Sequence, residues 1–358
     1  MNIQVFLGYH YRDKELASEV QKQLSLLKKI GIINGWVERV VGGEEEIETT
    51  AIEKANIILL LVSQDLIISN YCTDLEVKRA IELREEGKAR VIPILLFPNN
   101  SWKQTPLGEL KPLPEGAKAV STWENQEEAF ANIASGVAIE VIEFSKSLLG
   151  HDCPYFATCV NNLAKLYKKQ ERYQEAENTF LQAIELRKQI LGDRHPDYVA
   201  SMNNLASLYE LVEYYEQAEK LYKEALEIQK EILGDKHVDV ATSLNNLALM
   251  YYAQKRYKEA EPIYNEALQI RKEVLGKDSP EVAKTLNNLG TLYSSQKRYR
   301  EAVPVFERAL KIAKESLGKD HPTTATIREN LNSHKQLSFW KVIQWYIVFQ
   351  ALYEIFIA

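Results

Sequence analysis

The sequence has 358 residues, 46% apolar and 26% charged, the balance of a soluble globular protein and more chain than one ordinary core accommodates. Lysine and arginine number 16 against 22 acidic residues over 1–148 and 28 against 28 over the remainder, so neither part has the positive excess that phosphate-backbone binding needs, and nucleic acid is excluded as the main ligand. Three cysteines, Cys72, Cys153 and Cys159, make neither a disulfide framework nor a paired zinc spacing, and the opening MNIQVFLGYHYRD has no basic leader, so the expected setting is reducing and cytoplasmic.

Through residue 148, short apolar runs alternate with helical stretches. IQVFLGY, GWVERV, NIILLLV, RVIPILLF and KAVSTW read as strands; ELASEVQKQLSLLKKI, a stretch from Cys72 to Glu86 and another from Gln126 read as helices. This alternation predicts an α/β domain over 1–148, a parallel sheet with helices on both faces and a ligand site beyond the carboxyl ends of the strands. The loop after GWVERV is glycine-rich, but the glutamates that follow Gly42 and Gly43 repel phosphate and argue against a phosphate cradle.

Taken together, FLGYHYRD, WVERVVGGEE, ANIILLLVSQDLIISNYCTDLEVKRA and ARVIPILL resemble a bacterial TIR (Toll/interleukin receptor) domain, which has a flavodoxin-like parallel sheet. The resemblance implies cleavage of NAD+, as substrate and not cofactor, at the nicotinamide–ribose bond by a glutamate on the helix after the third strand, and Glu76 matches that position. It implies substrate contacts from Gly8, Tyr9, His10, Arg39, Ser69, Tyr71 and Cys72, and an assembly loop containing Arg39, Gly42, Gly43 and Glu44. Departures occur at Cys72, where many catalytic relatives carry tryptophan, at Gly8 in place of serine, and at His10 in place of a cationic residue. One carboxylate suffices for this chemistry: glycosidases generally need a second acid for a poor leaving group, whereas nicotinamide leaves its pyridinium form as a neutral molecule. Without the resemblance, Glu76 reads as a solvent-facing helix residue and Cys72 as a packing residue with no activating base beside it.

Farther along, NNLAKLY at 161, NNLASLY at 203, NNLALMY at 245 and NNLGTLY at 287 recur every 42 residues, with a Leu-Gly step on the same beat at Gly150, Gly192, Gly234, Gly276 and Gly318. Each unit reads as two helices, the first opened by Pro154, Pro196 or Pro280, with Val238 in the third unit, and the second closed by glycine. The pattern L-A-x-x-Y followed by A-x-x-x-F/Y resembles the tetratricopeptide repeat in its longer kinesin-light-chain form, an all-α solenoid over 149–336 with four full units and one partial. That resemblance puts Asn161, Asn203, Asn245 and Asn287 on a concave groove for an extended protein or peptide ligand, with Lys165, Lys168 and Lys169 favouring acidic groups at one end. The competing reading has the asparagines bonding between helices and the lysines solvated. His195, His237 and His321 lie a repeat or more apart, too far to share an ion, and read as turn residues with no metal.

The end, residues 337–358, contains FWKVIQWYIVFQALYEIFIA with 16 apolar residues in 20, and reads as a helix that seeks burial in a subunit contact, with a membrane anchor the less favoured reading. The α/β part thus points to an NAD+ hydrolase that self-associates and is controlled by the repeats, in the manner of bacterial antiphage systems; the alternative is a non-enzymatic signalling adaptor.

Overall fold

The strands β1 (Gln4–His10), β2 (Gly35–Val41), β3 (Ile57–Val62) and β4 (Arg90–Leu95) form a parallel sheet in the order β2-β1-β3-β4. The computed structural model describes residues 2–42, 50–69, 71, 75–150 and 152–333; Gly43, Glu44, Cys72 and the segment 337–358 lie outside the described residues. The chain divides into two units, Met1–Asp193 and Arg194–Ala358.

In the first unit β3 is buried along its whole length, as a central parallel strand covered on both faces must be. Side chains alternate across the sheet. Phe6, Ile58, Leu60 and Val62 face a core shared with Tyr71 and with Val77, Ala80 and Leu83 of helix α4 (Leu75–Glu85), while α1 (Lys14–Lys29) and α5 (Gln126–Leu149) pack together on the other face. Two short helices, α2 (Thr50–Glu53) and α3 (Gln64–Ile68), flank β3. Strand order reverses between β1 and β3, and at such a switch point the loops beyond the strands part to leave a crevice.

KAVSTW is not a strand. Leu113 takes the free edge of β4 instead, donating to the Pro93 carbonyl at 2.8 Å while the Leu95 amide donates to its own carbonyl at 2.8 Å. The chain at Val120–Thr122 is a single 3₁₀ turn, attached to the sheet by the Ser121 amide on the Leu96 carbonyl.

The repeats alternate helices of 16 and 19 residues. The first pair, α6 (Pro154–Lys169) and α7 (Tyr173–Leu191), belongs to the first unit; α8 (Pro196–Leu211), α9 (Tyr215–Leu233), α10 (Val238–Ala253), α11 (Tyr257–Leu275), α12 (Pro280–Ser295) and α13 (Tyr299–Leu317) belong to the second, followed by a helix described from 322 to 333. His195 and His237 are N-caps whose Nδ1 accepts from the amides of Asp197 and Asp239. Gly290 shows why small residues recur in the first helix of each pair: a Cβ there would sit 2.7 Å from the Phe306 ring.

Arginine ties one repeat to the next. In the second unit Arg256 lies 4.3 Å over the Tyr251 ring and pairs with Glu219 of the preceding repeat at 2.7 Å, and Arg298 does the same with Tyr293 and Glu261. In the first unit Arg172 lies over Tyr167 and donates to Ser135 of α5, the residue two repeat lengths before Glu219. Helix α5 therefore covers the sheet and also serves as the second helix of a repeat that has no first.

Burial alone would raise the Glu219 carboxyl, but hydrogen bonds from Lys223, Arg256 and Tyr251 outweigh it and hold the group at about 2, below its usual 4.5. A carboxyl depressed by folding contributes stability above its unfolded value and loses it as the pH falls from about 4.5 towards 2. Glu219→Gln should therefore lower stability at neutral pH and lose less on acidification through this window; unfolding curves that acidify in parallel with wild type would contradict the assignment.

Candidate functional site

Glu76 stands in the first turn of α4, which packs against β4 and α2, and its side chain reaches Arg39 of β2. Gly8 and Arg39 are direct neighbours in the β1–β2 register and share a face of the sheet, so Arg39 reaches up beside Gly8 towards α4. Its Nε donates to Glu76 Oε2 at 3.2 Å, and the Tyr71 hydroxyl donates to the same oxygen at 2.7 Å. The pair is mostly enclosed, with the Arg39 and Glu76 side chains 24% and 13% exposed. Among the described residues none donates to Oε1.

Gly8 makes room for this arrangement. A Cβ there would lie 2.9 Å from Leu60 Cδ2 and 3.6 Å from the Tyr71 hydroxyl. Gly42, at φ +76°, is required twice over, since that conformation disfavours a side chain and a Cβ would meet His10 Nε2 at 3.1 Å. Gly8, His10, Arg39, Gly42, Tyr71 and Glu76 thus gather around the ends of β1 and β2.

Other expected contacts lie elsewhere. Tyr9 points to the opposite face of the sheet, as strand alternation demands, where its hydroxyl donates to Glu38 at 3.1 Å and burial, reinforced by that carboxylate, raises its pKa. Ser69 closes the end of α3, its hydroxyl donating to the Leu66 carbonyl at 2.7 Å. Tyr71 is 3% exposed and so offers no free ring face for stacking.

Sequence reasoning missed the groups at the switch point itself. Asp13 is buried and accepts from Ser63 Oγ at 2.6 Å, while Ser63 in turn caps α3 by accepting from the Leu66 amide; burial raises the Asp13 pKa. Arg12 crosses from the β1 loop to Asp65 on α3 at 2.8 Å. The S-x-x-L cap after NIILLLV was a readable signal for Ser63; the crossing pairs required the strand order.

In the repeats, Asn161 is 2% exposed and donates to Asn162, so it does not line an open groove. Asn203 donates to Ser243 at 3.1 Å; Asn245 and Asn287 accept from Asn288 and Asn330 of the following repeat at 3.1 and 3.0 Å. These asparagines join helix to helix. Lys165 is exposed on the first repeat, its pKa lowered by desolvation of its ammonium and by the neighbouring Arg187, and Lys168 is half-buried. One cavity of the first unit adjoins Lys111, Leu113, Asn132, Tyr167, Arg172 and Glu175, away from Glu76, but Arg172 and Glu175 pair with each other and Asn132 accepts from the Glu115 amide.

The family model described as TIR domain matches residues 5–134, and the model described as tetratricopeptide repeat matches 155–231, 211–273, 239–315 and 281–331. Uncharacterized protein y4lF of Sinorhizobium fredii is 40% identical over 136 residues, which are 37% of this chain and 42% of that protein, so the chain spans less than half the length of this relative. Among solved structures, BtubC (BKLC) from P. vanneervenii is similar at a TM-score of 0.52 and 27% identity, over 58% of this chain and 84% of that one. A Podosopora anserina putative kinesin light chain with nearly identical TPR-like repeats aligns at a TM-score of 0.45 and 22% identity, over 53% of this chain and 89% of that one.

Asn245→Ala should lower the unfolding free energy by about 1 kcal/mol, because the half-buried Asn288 amide loses its acceptor. Urea unfolding is the check; unchanged stability together with weakened ligand binding would return Asn245 to the groove.

Proposed function

We propose that this chain, in which a TIR domain is joined to tetratricopeptide repeats, is an NAD+ glycohydrolase whose activity is controlled by what the repeats bind. The observation that carries the reading is the Glu76 carboxylate at the carboxyl end of the sheet, anchored through Oε2 by Tyr71 and Arg39, with no donor to Oε1 among the described residues.

In this reaction the C1′–N bond of the nicotinamide ribose breaks, its electron pair leaves with nicotinamide, and the ribose becomes oxocarbenium-like before water attacks and releases a proton. A carboxylate about 4 Å from such a cation contributes about 4 kcal/mol at an effective dielectric near 20, on the order of 10³ in rate. Oε1, to which no described residue donates, suits a ribose hydroxyl. Arg39 opposes the effect while it stays on Glu76, because it cancels the charge that the cation needs. The arrangement is accordingly a resting one, and NAD+ turnover requires Arg39 to move.

Control belongs to the repeats, which take a protein or peptide ligand; Lys165 and Lys168 favour an acidic one. Self-association through the TIR domain and through 337–358 completes the proposal, in a role in antiphage or stress defence. No helix among the described residues is long and apolar enough to cross a membrane, and the apolar segment lies outside them. The adaptor reading is favoured by the same Arg39–Glu76 pair, which leaves the carboxylate neutralised.

Glu76→Gln separates the two readings. As a hydrolase, the protein at high concentration should consume NAD+ and release nicotinamide, and the variant should lose at least about 10²-fold in kcat with its fold and assembly retained. Equal consumption by variant and wild type rejects Glu76, and no consumption by either in the assembled state favours the adaptor.

A further inference from the structure

The geometry points to Tyr71 as the positioning residue for Glu76, a role resting on the hydrolase reading above and different from the substrate contact that the resemblance implies for it. Three observations carry it. The ring is buried, 3% exposed, in the core with Phe6, Leu60 and Val77, so its position is fixed by packing and no face is open to a substrate. Its hydroxyl emerges where Gly8 lacks a side chain, 3.6 Å from where a Cβ would be, and from there donates to Glu76 Oε2 at 2.7 Å, the length of a charge-assisted O–H···O⁻ bond. That oxygen is the one Arg39 also holds, while Oε1 receives no donor among the described residues.

A glutamate has three rotatable bonds, and one in the first turn of a helix samples several rotamers unless something holds it. Arg39, on a flexible stem and a quarter exposed, is a poor anchor, and in the proposed reaction it is the group that leaves. Tyr71 has only two torsions, both locked by the core. With Oε2 pinned by the hydroxyl, the lone pairs of Oε1 keep one direction, which is what pre-organised stabilisation of a developing cation requires. Tyr71 touches neither the reacting bond nor the leaving group; it acts through Glu76.

The test uses the full-length protein with Tyr71→Phe, Glu76→Gln and the double variant. Phe keeps the ring in the core and removes only the hydroxyl, so the fold should persist. Under assembling conditions Tyr71→Phe should lower kcat for NAD+ about 10- to 100-fold, as expected for loss of one hydrogen bond to a charged group. KM should stay near the wild-type value, because the ring does not bind substrate. Added to Glu76→Gln, the same change should have almost no further effect on kcat, and the shifts of the unfolding midpoint should be non-additive across the cycle. Wild-type kcat in Tyr71→Phe, or a loss carried wholly by KM, overturns the positioning role. Should wild-type protein leave NAD+ intact, the hydrolase reading fails, and the unfolding cycle then decides alone: additive shifts overturn the Tyr71–Glu76 coupling, and non-additive shifts sustain it.

Discussion

A carboxylate at the end of a parallel sheet has to be held in one place, and Glu76 meets that demand through a single oxygen. Oε2 receives the Tyr71 hydroxyl from below and Arg39 from the side. Much of the first unit is arranged so that these three groups can meet. Parallel pairing puts Arg39 opposite Gly8, alternation turns both to the face that carries the Tyr71 hydroxyl, and the glycine leaves room for Leu60 and Phe6 beside it. A Cβ at Gly8 would crowd Leu60 Cδ2 at 2.9 Å and Phe6 Cε1 at 3.3 Å, with the Tyr71 hydroxyl in contact at 3.6 Å. In the proposed reaction the same contact holds the site at rest, since a guanidinium on the carboxylate cancels the charge that a developing cation would need.

The second dependency is the junction with the repeats, and it runs through one helix. α5 packs with α1 over the sheet, and its Ser135 receives Arg172 where later repeats offer Glu219 to Arg256 and Glu261 to Arg298. The Tyr155 hydroxyl adds a bond from α6 to the Ile32 carbonyl at the end of α1. The first repeat is thus bonded into the same unit as the sheet, with no separate linker, and strain applied to α6 or α7 is felt at α5. A ligand on the first repeat is therefore mechanically close to the sheet.

What was legible in the sequence was whatever repeats or alternates. The 42-residue beat, its prolines and its glycines located the helices of the repeats, because caps and small-residue contacts are local and recur unchanged. Four apolar runs located the strands, but KAVSTW did not become a fifth, because Leu113 already occupied the edge of β4. Tyr9 illustrates a different failure, since proximity to Gly8 and His10 in sequence puts it on the wrong face of the sheet. Glu76 was located by resemblance; its bond to Arg39, 37 residues away, depends on strand register that no periodicity in the chain encodes. The asparagines were located correctly on the first helices, but the choice between groove and helix contact rested on angles of a few tens of degrees around the helix, finer than a sequence pattern resolves.

The most direct measurement is a crystal structure of the full-length protein with a non-cleavable NAD+ analogue. The account predicts the nicotinamide ribose at the carboxyl ends of β1 and β2, a ribose hydroxyl within hydrogen-bond reach of Glu76 Oε1, Tyr71 still on Oε2 and Arg39 withdrawn. An analogue bound away from Glu76, for instance in the cavity beside Tyr167 and Arg172, with the Arg39–Glu76 pair intact, would contradict it.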